Sequence, residues 1–366
     1  MRFKSFFMIV VSSVIFLLIL TGILNYVVDP GQMFMGQRSV ANLAKLIADG
    51  NNVIIPGYDI NERILQKYFI KENERKFDVI VIGSSRTFSF GKESFPADSF
   101  HNFSMSGASV EDNITIFNLI EEKQGFPKTV IICADPWLLN RNNGAVRWEN
   151  LFSEYFSTLQ KYNIQKKMEK DINLIKIKEL FSLAYTRSSL SDFRKGIFLA
   201  RYSYQTTEDD NIDNGILRAD GVNIYHREIR ERSQKAVNEA ALKYISGNIY
   251  SVEHFNKLDE SLKQQFEAMI DRMRDNNVEV ILFLPPYHPV VYEFLLKKEK
   301  YNMVFSAERY FKDLATKKGL IIWGAYNPAS IGLIDKDFFD GMHLKKNSVD
   351  KLLMSFQNKD FYYVRC

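Results

Sequence analysis

The apolar positions of this chain fall into two regimes. From Phe6 to Val28 there is no charged side chain at all. Wound as a helix, those 23 residues would reach about 34 Å, against roughly 30 Å for the hydrocarbon core of a bilayer. Arg2 and Lys4 precede the stretch, and Asp29 and Pro30 follow it. The charge asymmetry predicts a cytoplasmic N-terminus and an extracytoplasmic body. A cleaved signal peptide is the rival reading. It would need a shorter apolar region and a small-residue cleavage site, whereas this stretch ends Asn25-Tyr26-Val27-Val28-Asp29-Pro30.

Beyond the anchor, apolar residues recur with shorter periods. Gln37–Asp49 and Asn61–Asn73 read as amphipathic helices. Phe77–Gly83 contains four consecutive β-branched residues and closes on glycine, the mark of a buried parallel strand. Phe100–Met105 and Lys128–Ala134 are further strands, separated by a helix over Ser109–Lys123 with Ser109 as its cap. Helix Leu258–Asn276, strand Val278–Leu284, helices Pro289–Lys298 and Ser306–Lys318, strand Gly319–Trp323 and helix Lys346–Phe356 complete the alternation. Repeated β-α order predicts an α/β fold, a central parallel five-stranded sheet with helices on both faces. Between Trp137 and Lys257 the alternation lapses into charged and aromatic helical pattern. The chain thus divides into an anchor at 1–29, a body formed by 30–136 and 258–366, and a mainly helical insertion at 137–257.

Composition adds exclusions. The 48 basic and 44 acidic residues are too evenly matched and too dispersed for a nucleic-acid partner. The two cysteines are Cys133, inside an apolar strand, and Cys366, the last residue; a disulfide between them is not expected. No Cys/His cluster suggests a metal, and no motif suggests a cofactor.

In open parallel sheets ligands bind beyond the carboxyl ends of the strands. Those ends carry Gly83-Ser84-Ser85-Arg86, Ser106-Gly107, Asp135-Pro136-Trp137 and Pro285-Pro286-Tyr287-His288, with Asp340-Gly341-Met342-His343 just before the last helix. Over roughly Phe77–Ile132 and Val278–Phe356 this pattern resembles the SGNH (GDSL-like) hydrolases. The resemblance implies Ser85 as nucleophile, third in a Gly-Asp-Ser-like turn in which Ser84 replaces Asp. It implies Gly107 as a backbone oxyanion donor beside the Ser85 amide, and Asp340 and His343 as the family's late Asp-x-x-His pair.

The chemistry agrees. A serine hydroxyl needs a base to take its proton, and His343 would be that base. Asp340, three residues back, can fix the tautomer of the ring, and a helical turn there would bring the two together. The departure lies after the third strand, where many family members have an Asn oxyanion donor and this chain has Asp135. A carboxylate cannot donate unless protonated. Asn140, Asn142 or Asn143 could substitute, the donor could be missing, or Asp135 could have another task.

Arg86, Asp135, Trp137, Tyr287 and His288 are candidate substrate-binding residues by their places at strand ends. Each has a plainer reading: a salt bridge for Arg86, core packing for Trp137 and Tyr287. Ser84 competes as nucleophile, both serines also suit a helix cap, and Asp340–His343 also reads as a surface turn. His101, His226 and His254 have no motif around them.

Anchored, outward-facing members of the superfamily modify cell-envelope polysaccharides. The resemblance therefore implies an O-acyltransferase or esterase acting on acyl groups, acetyl above all, of such a polymer. The implied partners are the polysaccharide or an acyl donor, the membrane, and a membrane-bound acyltransferase. The alternatives are an inactive glycan- or partner-binding scaffold, and a lipid esterase or thioesterase with the insertion as its cap.

Overall fold

A computed structural model describes residues 2–55, 59–95, 99–165, 172–197 and 203–357. Cys366, and with it the expectation about pairing with Cys133, lies outside the described residues. Helix α1 (Arg2–Val28) is apolar and long enough to cross a membrane. Its outward side chains are exposed; Phe6 and Leu17 retain 65% and 60% of their surface.

Helices α2 (Gln37–Ala48) and α3 (Glu62–Glu72) follow, with the two-residue strand β1 (Val53–Ile54) between them. The central strands are β2 (Val79–Ile82), β3 (Phe100–Asn102), β4 (Thr129–Cys133), β7 (Glu279–Leu284) and β8 (Ile321–Gly324). They form one sheet in the order β3-β2-β4-β7-β8, with every neighbouring pair parallel. Side chains alternate along each strand. Ile80, Ile82, Val130, Ile132, Val280 and Leu282 enter one core, while Val81, Ile131, Cys133, Ile281 and Phe283 enter a second on the opposite face. The first core is covered by α2, α3, α4 (Val110–Gln124), α5 (Phe152–Lys161), α10 (Glu260–Asp275) and α12 (Asn302–Lys318). The second is covered chiefly by α13 (Lys346–Gln357). Burial on both faces explains why these strands read as unbroken apolar runs.

The 137–257 segment contains helices α6 (Ile172–Leu180), α7 (Leu183–Arg194), α8 (Arg227–Arg230) and α9 (Gln234–Ser246), as well as α5. It also holds β5 (Ile216–Leu217) and β6 (Asn223–Ile224), which join β1 in a small antiparallel sheet absent from the sequence reading. Two-residue strands carry too little alternation to register as a pattern. Nor is the segment separately packed: Trp137, Leu151, Tyr155, Ile249 and Phe255 belong to the same core as Ile80 and Val130. Helix α11 (Pro289–Leu296) closes the strand-end side after β7.

Because β2 leads outward to β3 while β4 lies on its other side, the order reverses between β2 and β4. A crevice opens beyond the carboxyl ends of strands at such a point, and the serine turn follows β2 there.

Candidate active site

Gly83 ends β2 with φ +142°, and a Cβ there would lie 2.3 Å from the Cβ of Cys133. Only glycine lets the chain turn so close to β4. Ser84 then caps a 3-10 turn over Ser85–Thr87, its hydroxyl accepting from the Arg86 amide at 3.2 Å. Ser84 is fully buried. The two serines therefore divide the tasks: Ser84 faces inward as the cap, and Ser85 points its Oγ to His343 Nε2 at 2.9 Å.

The opposite nitrogen of His343, Nδ1, lies 3.1 and 3.0 Å from the two carboxylate oxygens of Asp340. This segment is a bend and not a helical turn. Asp340 Oδ1 accepts from the amides of Met342 (2.9 Å) and His343 (3.0 Å), and Phe339 N–H donates to the His343 carbonyl at 2.8 Å. The carboxylate thus folds the bend and orients the ring together. Burial alone would raise the Asp340 carboxyl, but the His343 ring and the two amides outweigh it and bring it to about 2. It is an anion at neutral pH.

Gly107 sits in the left-handed region at φ +57°, and a Cβ there would meet the Tyr250 hydroxyl at 2.0 Å. Its loop is clamped from both sides. Glu62 accepts from Ser106 N (2.6 Å) and Ser106 Oγ (2.8 Å), and Arg63 donates to the Ser106 carbonyl at 2.8 Å. Arg63 also makes a two-pronged contact with Asp112 at 3.0 and 2.8 Å. Burial pushes the Glu62 carboxyl up. Among the described residues the amides of Ser85 and Gly107 have no backbone acceptor.

The five strand-end residues read as substrate ligands are interior ones. Arg86 is 4% exposed and donates to Asp135 Oδ1 (3.3 Å), Pro285 O (2.8 Å), Pro286 O (2.5 Å) and Met342 O (3.2 Å). Its guanidinium lies over the Tyr287 ring at 4.3 Å. Asp135 is fully buried; burial pushes its carboxyl up against the pull of Arg86. Trp137 is buried with Nε1 donating to the Ala108 carbonyl at 3.1 Å. Buried His288 accepts from the Val290 amide through Nδ1 at 3.3 Å, and its amide donates to the Gly341 carbonyl at 3.0 Å. Desolvation lowers the pKa of that ring. These groups tie the ends of β2, β4 and β7 to the Asp340–His343 bend. A bare charge at a strand end must find partners when the loops close over it, which is why a ligand role and a structural role look alike in sequence. Of the alternative donors, Asn140 is turned away, its Nδ2 bonded to the Ser251 carbonyl at 2.8 Å; Asn142 and Asn143 donate to the carbonyls of His254 and Trp137.

Three tyrosines of the insertion approach the site. The Tyr225 ring meets His343 edge-on at 6.0 Å, Tyr244 packs on Gly341, and Tyr250 stands against Gly107. They lie in a stretch without periodic pattern, so nothing local marked them. Two hollows open near the Ser85–Thr87 turn, neither of them lined by Ser85, Asp340 or His343. One of about 390 Å³ is lined by Gln32, Glu62, Phe88, Ser106, Arg147 and Asn223. The other, of about 600 Å³, is lined by Tyr225, Phe339, Arg218, Lys336 and Lys346, and shares Asn223 with the first. Among the described residues no cluster of His, Cys, Asp and Glu suits a metal ion.

The chain belongs to the family described as "Protein of unknown function (DUF1574)", which it matches over residues 51–355. The match takes in Ser85, Gly107, Asp340 and His343 and leaves out α1. No curated protein matches the chain.

Proposed function

We propose that this member of the family is an extracytoplasmic SGNH-type serine acyltransferase or esterase, working on acyl esters of a cell-envelope polysaccharide. The observation that carries the reading is the continuous relay from Ser85 Oγ through His343 to Asp340. His343 Nε2 accepts the Ser85 proton as Oγ attacks the acyl carbon. The Ser85 and Gly107 amides face the oxyanion that develops. When the tetrahedral adduct collapses, His343 returns the proton to the departing alcohol and an acyl-serine remains. A polymer hydroxyl or water then gives its proton to His343, attacks, and frees Ser85. Asp340, ionised throughout, stabilises the imidazolium in both halves.

Asp135 is spent on Arg86 and supplies no donor. In this reading the phenol of Tyr250, beside Gly107, takes the third donor position. Arg2 and Lys4 in the first turn of α1 favour an outward-facing body, where a membrane-bound acyltransferase would supply the acyl group.

The test uses the full chain in detergent with p-nitrophenyl acetate. Wild type is expected to turn over and to carry an acetyl adduct by mass spectrometry, lost in Ser85→Ala, with turnover lost in His343→Ala. Undiminished turnover in both variants overturns the reading. The buried Arg86–Asp135 pair favours one rival, an inactive binding scaffold. That rival predicts no adduct on wild type and polymer binding indifferent to Ser85→Ala.

A further inference from the structure

Helices α6 and α7 form a hairpin that packs on α1. Asn25, buried within α1, donates through Nδ2 to the Leu180 carbonyl at 2.8 Å and to Thr186 Oγ1 at 2.9 Å. The Tyr185 hydroxyl donates to Asp29 at 2.5 Å, and Asp29 also accepts from the amides of Met33, Phe34 and Gly36. The end of α1, the loop after it and the hairpin are thus joined through one carboxylate.

The contact runs deep along α1. Leu180 and Phe181 share an apolar hollow of about 550 Å³ with Ile15, Leu18, Ile19, Gly22, Ile23 and Tyr26. At 1.5 Å per residue, Gly22 lies about 9 Å and Ile15 about 20 Å below the end of α1 at Val28. The whole helix is about 40 Å long, some 10 Å more than a hydrocarbon core. Placing that entire surplus at this end still leaves Ile15 and Ile19 within the hydrocarbon and puts Phe181, whose ring lies 3.4 Å from where a Cβ of Gly22 would be, at its boundary.

The hairpin is dressed for that depth. Ile177, Phe181, Leu183 and Leu190 are 54%, 49%, 77% and 41% exposed. Within the turn Phe181 N and Ser182 N donate to Lys178 O and Glu179 O, and Ser182 Oγ and O accept from Tyr185 N and Thr186 N. Non-helical backbone at membrane depth has to be satisfied in this way. Residues 172–197 carry five basic side chains (Lys176, Lys178, Arg187, Arg194, Lys195) against two acidic (Glu179, Asp192). Long basic side chains can extend from an apolar face to anionic headgroups.

We propose that α6 and α7 are a second membrane contact, a hairpin seated in the outer leaflet with its turn among the acyl chains beside α1. The occupant of its apolar face is lipid, because the face continues that of the spanning helix. The proposal rests on α1 spanning the bilayer and not on the activity at Ser85. Its consequence is a fixed pose: two attachments clamped at Asp29 hold the body at a set height and angle, where one helix on a flexible loop would let it swing.

The experiment places nitroxide labels on the full chain in vesicles of phosphatidylcholine and phosphatidylglycerol (3:1). In a Cys366→Ser background, the sites are Phe181→Cys, Leu183→Cys and Leu190→Cys, with Leu242→Cys, 53% exposed on α9, as reference. Leu183, Leu190 and Leu242 project from the surface and Phe181 is half-buried against α1, so near-UV circular dichroism checks the fold of each variant. Oxygen access is expected to exceed access of a water-soluble nickel chelate several-fold at the three hairpin sites, with the reverse at Leu242. Nickel access at Leu183 and Leu190 equal to that at Leu242 overturns the proposal. Dipolar broadening between labels of different chains also overturns it, since a second copy would then cover the face.

Discussion

Arg86 offers the sharpest test of how the site is held. Replacing it with methionine keeps much of the aliphatic stem and removes the charge together with four hydrogen bonds, to Asp135, Pro285, Pro286 and Met342. Asp135, fully buried and with its carboxyl already pushed up, would lose its counter-ion. Breaking one side of a buried pair costs about 3–5 kcal/mol. With an unfolding entropy of about 2.1 cal/mol/K per residue, a body of roughly 340 residues loses about 4–7 °C in Tm. Replacing both partners, Arg86→Met with Asp135→Leu, removes the orphaned carboxyl, so the double variant should be less destabilised than the sum of the singles. Thermal melts of the full chain in detergent, followed by circular dichroism, measure all three. Because Arg86 also bonds the carbonyl next to His343, ester turnover should fall in the double variant even where Tm recovers. A single-variant loss under 1 °C, or strict additivity in the double, would refute the reading of this cluster as an ion pair binding the strand ends to the Asp340–His343 bend.

Other outcomes follow from the same geometry. Asp340 is held near 2, below its ordinary 3.8, so the stability it contributes is complete above about pH 5 and disappears as the pH falls toward 2. With its side chain 31% exposed, that contribution is about 1–2 kcal/mol after screening, and Asp340→Ala should flatten the acid limb of a stability–pH curve by this amount. An unchanged limb would contradict the assignment. Tyr250→Phe should leave Tm unchanged and lower kcat by about 10²-fold, the usual worth of one oxyanion donor; equal kcat would remove the phenol from the mechanism. Gly83→Ala combines a φ of +142° with a Cβ 2.3 Å from that of Cys133, and should cost about 3 kcal/mol. A melt within 1 °C of wild type would mean that the turn yields where packing says it cannot.

Much of this protein was written locally. The uncharged run to Val28 is a matter of composition, and α1 follows from it without any partner. The β-branched runs at 79–82 and 129–133 had to be strands buried on both faces, since no half-exposed strand lacks polar alternation. Gly83 and the Asp340–His343 spacing were legible because a close turn and a carboxylate–imidazole pair each need their residues within a few positions. What the chain could not tell alone was decided by long-range packing. Which serine faces inward depends on Cys133 and Arg86, from β4 and from the turn itself. Whether Arg86 and Asp135 meet a ligand or each other depends on loops 199 residues and more apart closing over them. The insertion's tyrosines reach the site, and its α6–α7 hairpin reaches α1, through contacts that leave no periodic trace. Periodicity reports which face of an element is buried, and the identity of what buries it is fixed only when the elements pack.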